Sequence, residues 1–147
     1  MADRDELRFR AIFEKHAPPG IKVRWKRGKA LKPAEANLRK GSMLVPRLLS
    51  LEHLGFALHE CGHFWLKHFD ADEARTVQHR DLYTGNAKPV AEREYEAERW
   101  MIGVMMLHGL PVPRVLRQEA RDNVAQYIDD DTAKAKTPSH IKKWSQR

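Results

Sequence analysis

The five residues His59-Glu60-Cys61-Gly62-His63 constrain this chain more than any other stretch, because they set two imidazoles and a carboxylate inside a run that is otherwise apolar. Leu54, Phe56, Ala57 and Leu58 precede them, and Phe64, Trp65 and Leu66 follow. The periodicity of that run predicts a largely buried helix, with Ser50 as its N-cap. On a helix, residues four apart lie one turn apart on one face, so His59 and His63 can share one ion. Left unpaired, each buried polar group would be unfavourable by a few kcal/mol. A metal satisfies them. H-E-x-x-H on a helix is the pattern of a hydrolytic zinc site, with two ligands and an adjacent Glu60 able to act as general base on water. With 8 His in 147 residues the pattern arises by accident in roughly 3% of such chains, so its surroundings decide.

A catalytic zinc held by two histidines takes a third protein ligand, often a carboxylate, and leaves a position for water. Residues Val90 to Leu107 are predicted as one helix, opened by Pro89 and closed by Gly109, with Pro111 and Pro113 beyond. The helix holds Glu92, Glu94, Glu96 and Glu98. At about 100° per residue, Ala97, Met101, Ile102, Val104 and Met105 define an apolar arc with Glu94 in its middle and Glu98 near its edge. Glu96 falls on the far side with Arg99 and Gly103. The phase therefore predicts Glu94 as third ligand and Glu98 as an acid that orients a ligand histidine. Glu96 and Glu98 remain alternatives for the ligand itself.

The run Phe56-Ala57-Leu58-His59-Glu60-Cys61-Gly62-His63, followed by Glu94-Tyr95-Glu96-Ala97-Glu98-Arg99-Trp100-Met101, resembles the ImmA/IrrE metallopeptidases. Met105-Met106-Leu107-His108-Gly109-Leu110-Pro111 is similar to the ending of that family's second helix. The chain departs from the family pattern at Leu58, Glu98 and Met101, none of them a ligand position. The resemblance implies Zn2+ on His59, His63 and Glu94, with Glu60 as the catalytic glutamate. It also implies a small zincin-like α+β domain, and a protein substrate such as a DNA-binding transcriptional repressor.

The remaining pattern suits one domain over residues 1–147, at 41% hydrophobic and 32% charged residues. A helix is predicted from Asp3 to His16, apolar at Leu7, Phe9, Ile12 and Phe13. Ile21, Val23 and Trp25 then alternate with Lys22, Arg24 and Lys26, as in a strand with one wet face. Short strands are predicted at residues 34–39 and 43–45. The fold expected is thus mostly helical, with a short N-terminal antiparallel or mixed sheet packed on the H-E-x-x-H helix. Pro46 predicts that the last strand is an edge, where an extended peptide could add or where Pro46 and Arg47 block such pairing. A helix after Pro113 should turn Val115, Leu116, Ala120, Val124, Tyr127 and Ile128 inward. Residues 129–147 either dock, as a short helix from Pro138 to Trp144, or fray. His68, His79 and Tyr83 are candidates to stabilise an oxyanion.

The N-terminal residues Met1 to His16 have no apolar core of signal-peptide length, and no stretch reaches the ~18 apolar residues of a membrane span. A cytoplasmic protein is expected. One cysteine excludes an intramolecular disulfide, and Cys61 lies about 200° around the helix from His59, a packing position. The formal charge of +7 and pI near 9.7 support a rival reading, a basic nucleic-acid-binding module whose metal site is structural or non-catalytic. Arg24, Lys26, Arg27, Lys29, Lys32, Arg39 and Lys40 crowd the sheet region, with Lys142, Lys143 and Arg147 at the tail. No helix-turn-helix, zinc-finger spacing or aromatic RNA-binding signature accompanies them.

Overall fold

The computed structural model describes residues 3–26, 34–38, 40–66 and 89–147. Asp3 caps the first helix by accepting from the Glu6 amide at 2.7 Å, so α1 spans Arg4–His16. Its buried stripe is Phe9, Ile12 and Phe13, at i, i+3 and i+4. Leu7, expected inward, lies two positions from Phe9 on the opposite side and is exposed. Three strands follow: β1 at Lys22–Trp25, β2 at Glu35–Asn37 and β3 at Ser42–Val45. The other helices are α2 (Leu51–Trp65), α3 (Val90–Leu107), α4 (Arg114–Ala125, continued by a 3-10 turn at Gln126–Ile128), α5 (Asp131–Lys136) and α6 (Ser139–Ser145). The architecture is α+β, mostly helical with a small mixed sheet. Among the described residues, no helix is long and apolar enough to cross a membrane.

The sheet order is β1-β3-β2, with β3 parallel to β1 and antiparallel to β2. This corrects the expectation from Pro46, because β3 is the central strand. Pro46 comes after its last residue, where a missing N–H breaks no ladder bond, so the proline marks the strand's end and not its exposure. Arg47 shields no edge either. Its Nε and Nη2 donate to the two carboxylate oxygens of Glu6 at 2.9 and 2.8 Å, fastening α1 to the segment that enters α2. Period-two alternation sends Val23, Trp25, Ala36, Met43 and Val45 to one face, against α1 and α2, and Lys22, Arg24, Glu35, Asn37, Ser42 and Leu44 to the other.

Helix α2 runs through the core. Leu54, Ala57, Leu58 and Cys61 are fully buried, and the Cys61 Sγ lies 4.0 Å from the Met43 Sδ. Two glycines let neighbours approach. A Cβ on Gly62 would sit 3.3 Å from the Ala97 Cα and from the Trp100 ring of α3, and one on Gly55 would meet the Leu116 side chain of α4 at 2.7 Å. Helix α2 can therefore carry the motif on one face while α3 packs closely against it.

Helix α4 buries Leu116, Ala120 and Val124. Val115, expected inward, sits about 100° from that stripe and is exposed. The 3-10 turn advances about 120° per residue, which brings Ile128 inward and leaves Tyr127, also expected inward, 39% exposed. The C-terminal residues dock rather than fray: Ile141 and Trp144 of α6 join the core, and the Trp144 ring meets that of Tyr95 edge-on at 5.1 Å.

Candidate metal centre

Ser50 starts α2 by accepting from the His53 amide at 3.1 Å, which sets the helical phase for everything downstream. One turn apart, His59 and His63 point the same way, with ring centroids 4.7 Å apart and planes near perpendicular. Their Nε2 atoms are 3.0 Å from each other. The close packing at Gly62 brings in α3, whose Glu94 places Oε2 at 2.9 Å from the His59 Nε2 and 3.3 Å from that of His63. Tetrahedral zinc with bonds of ~2.0–2.1 Å separates its ligand atoms by about 3.3–3.4 Å. The triangle lies close to that spacing, so the donor set fits zinc in both chemistry and size. Among the described residues, His59, His63 and Glu94 form the one group of three donors able to hold a metal.

On the other side of the His59 ring the Glu98 carboxylate meets Nδ1. It holds that nitrogen as the donor and leaves Nε2 turned to the metal position, the arrangement in which a carboxylate orients a ligand histidine. Glu98 is only 6% exposed, deeper than its place at the edge of the predicted arc suggested. Glu96 is half-buried rather than out in solvent, and is not part of the donor group.

Electrostatics follow from burial and pairing. Burial alone would lower the His59 pKa, but the hydrogen bonds it donates to Glu94 and Glu98 outweigh it and raise the imidazole to about 10. Burial would likewise raise Glu94, yet its hydrogen bonds to His59 and His63 hold the carboxyl well below the usual range. The two carboxylates thus favour a protonated His59 ring, which lies between them. Glu60 differs. Burial dominates and pushes its carboxyl up, against the pull of the two histidines. A carboxylate made more basic by its surroundings is suited to take a proton from water.

These side chains line a cavity of about 330 Å3 shared by Ala34, Phe56, His59, Glu60, Glu94 and Glu98 on one side and α4 on the other. From α4, Asn123 donates through Nδ2 to the Glu94 Oε2 at 3.0 Å, and Gln126 donates to Asn123 in turn at 2.7 Å. Helical phase predicts Tyr127 inward but assigns neither it nor Asn123 to the site. The signal for Asn123 was there: it stands seven residues after Leu116 and three after Ala120, a polar residue on an apolar stripe. The oxyanion candidates His68, His79 and Tyr83 lie outside the described residues. So does most of the connection between α2 and α3.

A second histidine pair lies apart from this cavity. His16 at the end of α1 and His108 at the end of α3 bring their Nε2 atoms to 2.7 Å, beside the Trp100 ring. The Trp65 indole donates to the His16 carbonyl at 2.7 Å. Burial lowers the His16 pKa, helped by the charges of His108 and Lys15.

Comparison with family models, with curated proteins and with solved structures gave no match.

Proposed function

We propose that this chain is a cytoplasmic zinc-dependent endopeptidase acting on a regulatory protein, with a DNA-binding repressor as the substrate that its resemblance to the ImmA/IrrE metallopeptidases suggests. The observation that carries this reading is the triangle of His59 Nε2, His63 Nε2 and Glu94 Oε2, open to a cavity that also holds Glu60. A structural zinc would be closed by a fourth protein ligand. Among the described residues no fourth donor joins the three, His59 and Glu94 line the cavity, and the acid beside them is kept basic by burial.

Zinc bound there would supply Lewis acidity, polarising a peptide carbonyl and easing deprotonation of water. Glu60 takes the proton from the attacking water and returns it to the departing amine. Glu98 fixes the His59 ring, and Asn123 fixes Glu94. The substrate would lie along β2, an edge strand that begins one residue after Ala34 of the cavity wall.

Metal content and cleavage, measured together on variants, test the reading. Glu60→Gln is expected to retain zinc and lose cleavage. Glu94→Gln is expected to lose zinc. Full zinc occupancy in a variant lacking His59, His63 and Glu94 would sink the assignment. Undiminished cleavage by Glu60→Gln would remove the catalytic role.

A further inference from the structure

Strand β1 is an edge, and its outward residues Lys22 and Arg24 are both exposed. Across the sheet, Lys22 aligns with Ser42 and Asn37, and Arg24 with Leu44 and Glu35. Lys40 enters beside them, its amide held by the Asn37 side chain at 3.0 Å. The result is an open groove of about 510 Å3 lined by these residues, on the face of the sheet turned away from α2. Among the described residues, three cations and one anion, Glu35, line it.

We propose that this outer sheet face is a second site, which takes the phosphate backbone of nucleic acid. The chain carries a formal charge of +7, so polyanions are attracted before any contact forms. Alternate residues on a strand are ~6.7 Å apart, a separation that lets Lys22 and Arg24 each reach a different phosphate of one DNA strand. Ser42 and Asn37 add neutral partners for phosphate oxygens between the cations. The outward faces of the three strands carry no aromatic side chain, since Trp25 turns inward. Bases therefore have nothing to stack on, and binding is through the backbone without sequence readout. This site does not rest on the metal centre and lies on the opposite face of the sheet.

The test is anisotropy of a labelled mixed-sequence duplex with the full chain across a salt series. Three phosphate contacts predict a slope of log K against log salt near −2.7, so affinity falls about 40-fold between ~50 and ~200 mM salt. Lys22→Gln, Arg24→Gln and Lys40→Gln should each flatten the slope by about 0.9, and the triple variant by about 2.7. Glu35→Gln should tighten binding. Circular dichroism and zinc content, unchanged in these variants, show that the fold survives. An unaltered slope in the folded triple variant overturns the proposal. So does polyglutamate binding as tightly as a duplex of equal charge, which would make the partner an acidic protein. A preference above about tenfold between unrelated duplexes contradicts backbone-only recognition.

Discussion

Two histidine pairs in this molecule have nearly the same spacing and opposite character. His59 and His63 hold their Nε2 atoms 3.0 Å apart, His16 and His108 theirs 2.7 Å apart. The first pair sits on successive turns of one helix and receives Glu94 and Glu98 from another, so His59 rises to about 10. The second joins the ends of two helices, where burial, His108 and Lys15 act on His16 and lower it. Proximity of two imidazoles is therefore not enough: among the described residues, the group that could hold a metal includes the first pair, which has carboxylates to neutralise and orient it, and not the second.

The largest expected difference is in zinc affinity. Glu94→Gln removes a proposed ligand and should weaken binding beyond the ~10–100-fold loss typical of a supporting residue. His16→Gln should leave it unchanged, as read by competition with a chromophoric chelator. If His16→Gln strips the metal, the contrast between the pairs collapses. Next comes Glu98→Gln, where a loss of ~10–100-fold in zinc affinity is expected while metal still binds at saturation. An unchanged affinity would mean that the Nδ1 contact orients nothing.

Gly62→Ala tests what the two pairs share. The added methyl meets the Ala97 Cα and the Trp100 ring at 3.3 Å, and the His16 ring meets Trp100 edge-on. Overpacking of this kind costs about 1–3 kcal/mol, read as a shift in urea midpoint. A neutral result would show that α3 can move away freely.

The smallest effect should be the His16 contribution to the pH dependence of metal-free stability, in which the pairs run in opposite senses. His59 gains a raised pKa on folding, so its contribution is complete below about 6.5 and is lost as pH climbs through about 10. For His16 the folded pKa is lowered, so the unfolded chain binds more protons just below about 6.5 and stability falls as pH drops through that range. Urea melts of metal-free protein should lose midpoint on both sides of neutrality, and His16→Gln should flatten only the acid side.

Much of the centre was legible because helical phase is a local property. Spacing alone placed His59 and His63 together, put Glu94 and Glu98 on the arc facing them, and separated Cys61 from the ligands. What escaped depends on long-range pairing. Pro46 could not report that β3 has partners on both sides, since strand order is fixed by residues twenty positions away. Leu7 and Val115 are apolar by type but lie off the stripes their helices bury, and burial is decided by what packs there. His108 gave no sign of its partner, which is 92 residues distant.

Cys61 has a consequence for measurement. Its thiol is buried against Met43, and burial pushes its pKa up to about 12, so the folded protein presents almost no thiolate. It sits on the same helix as both histidines of the triangle, two residues from each. A thiol reagent therefore reacts only when α2 leaves the core, and the labelling rate counts that opening. Any ligand bound across α2 and α3 slows labelling in proportion to its own binding equilibrium. The lone cysteine is thus a native clock for occupancy of the centre, readable without a substrate.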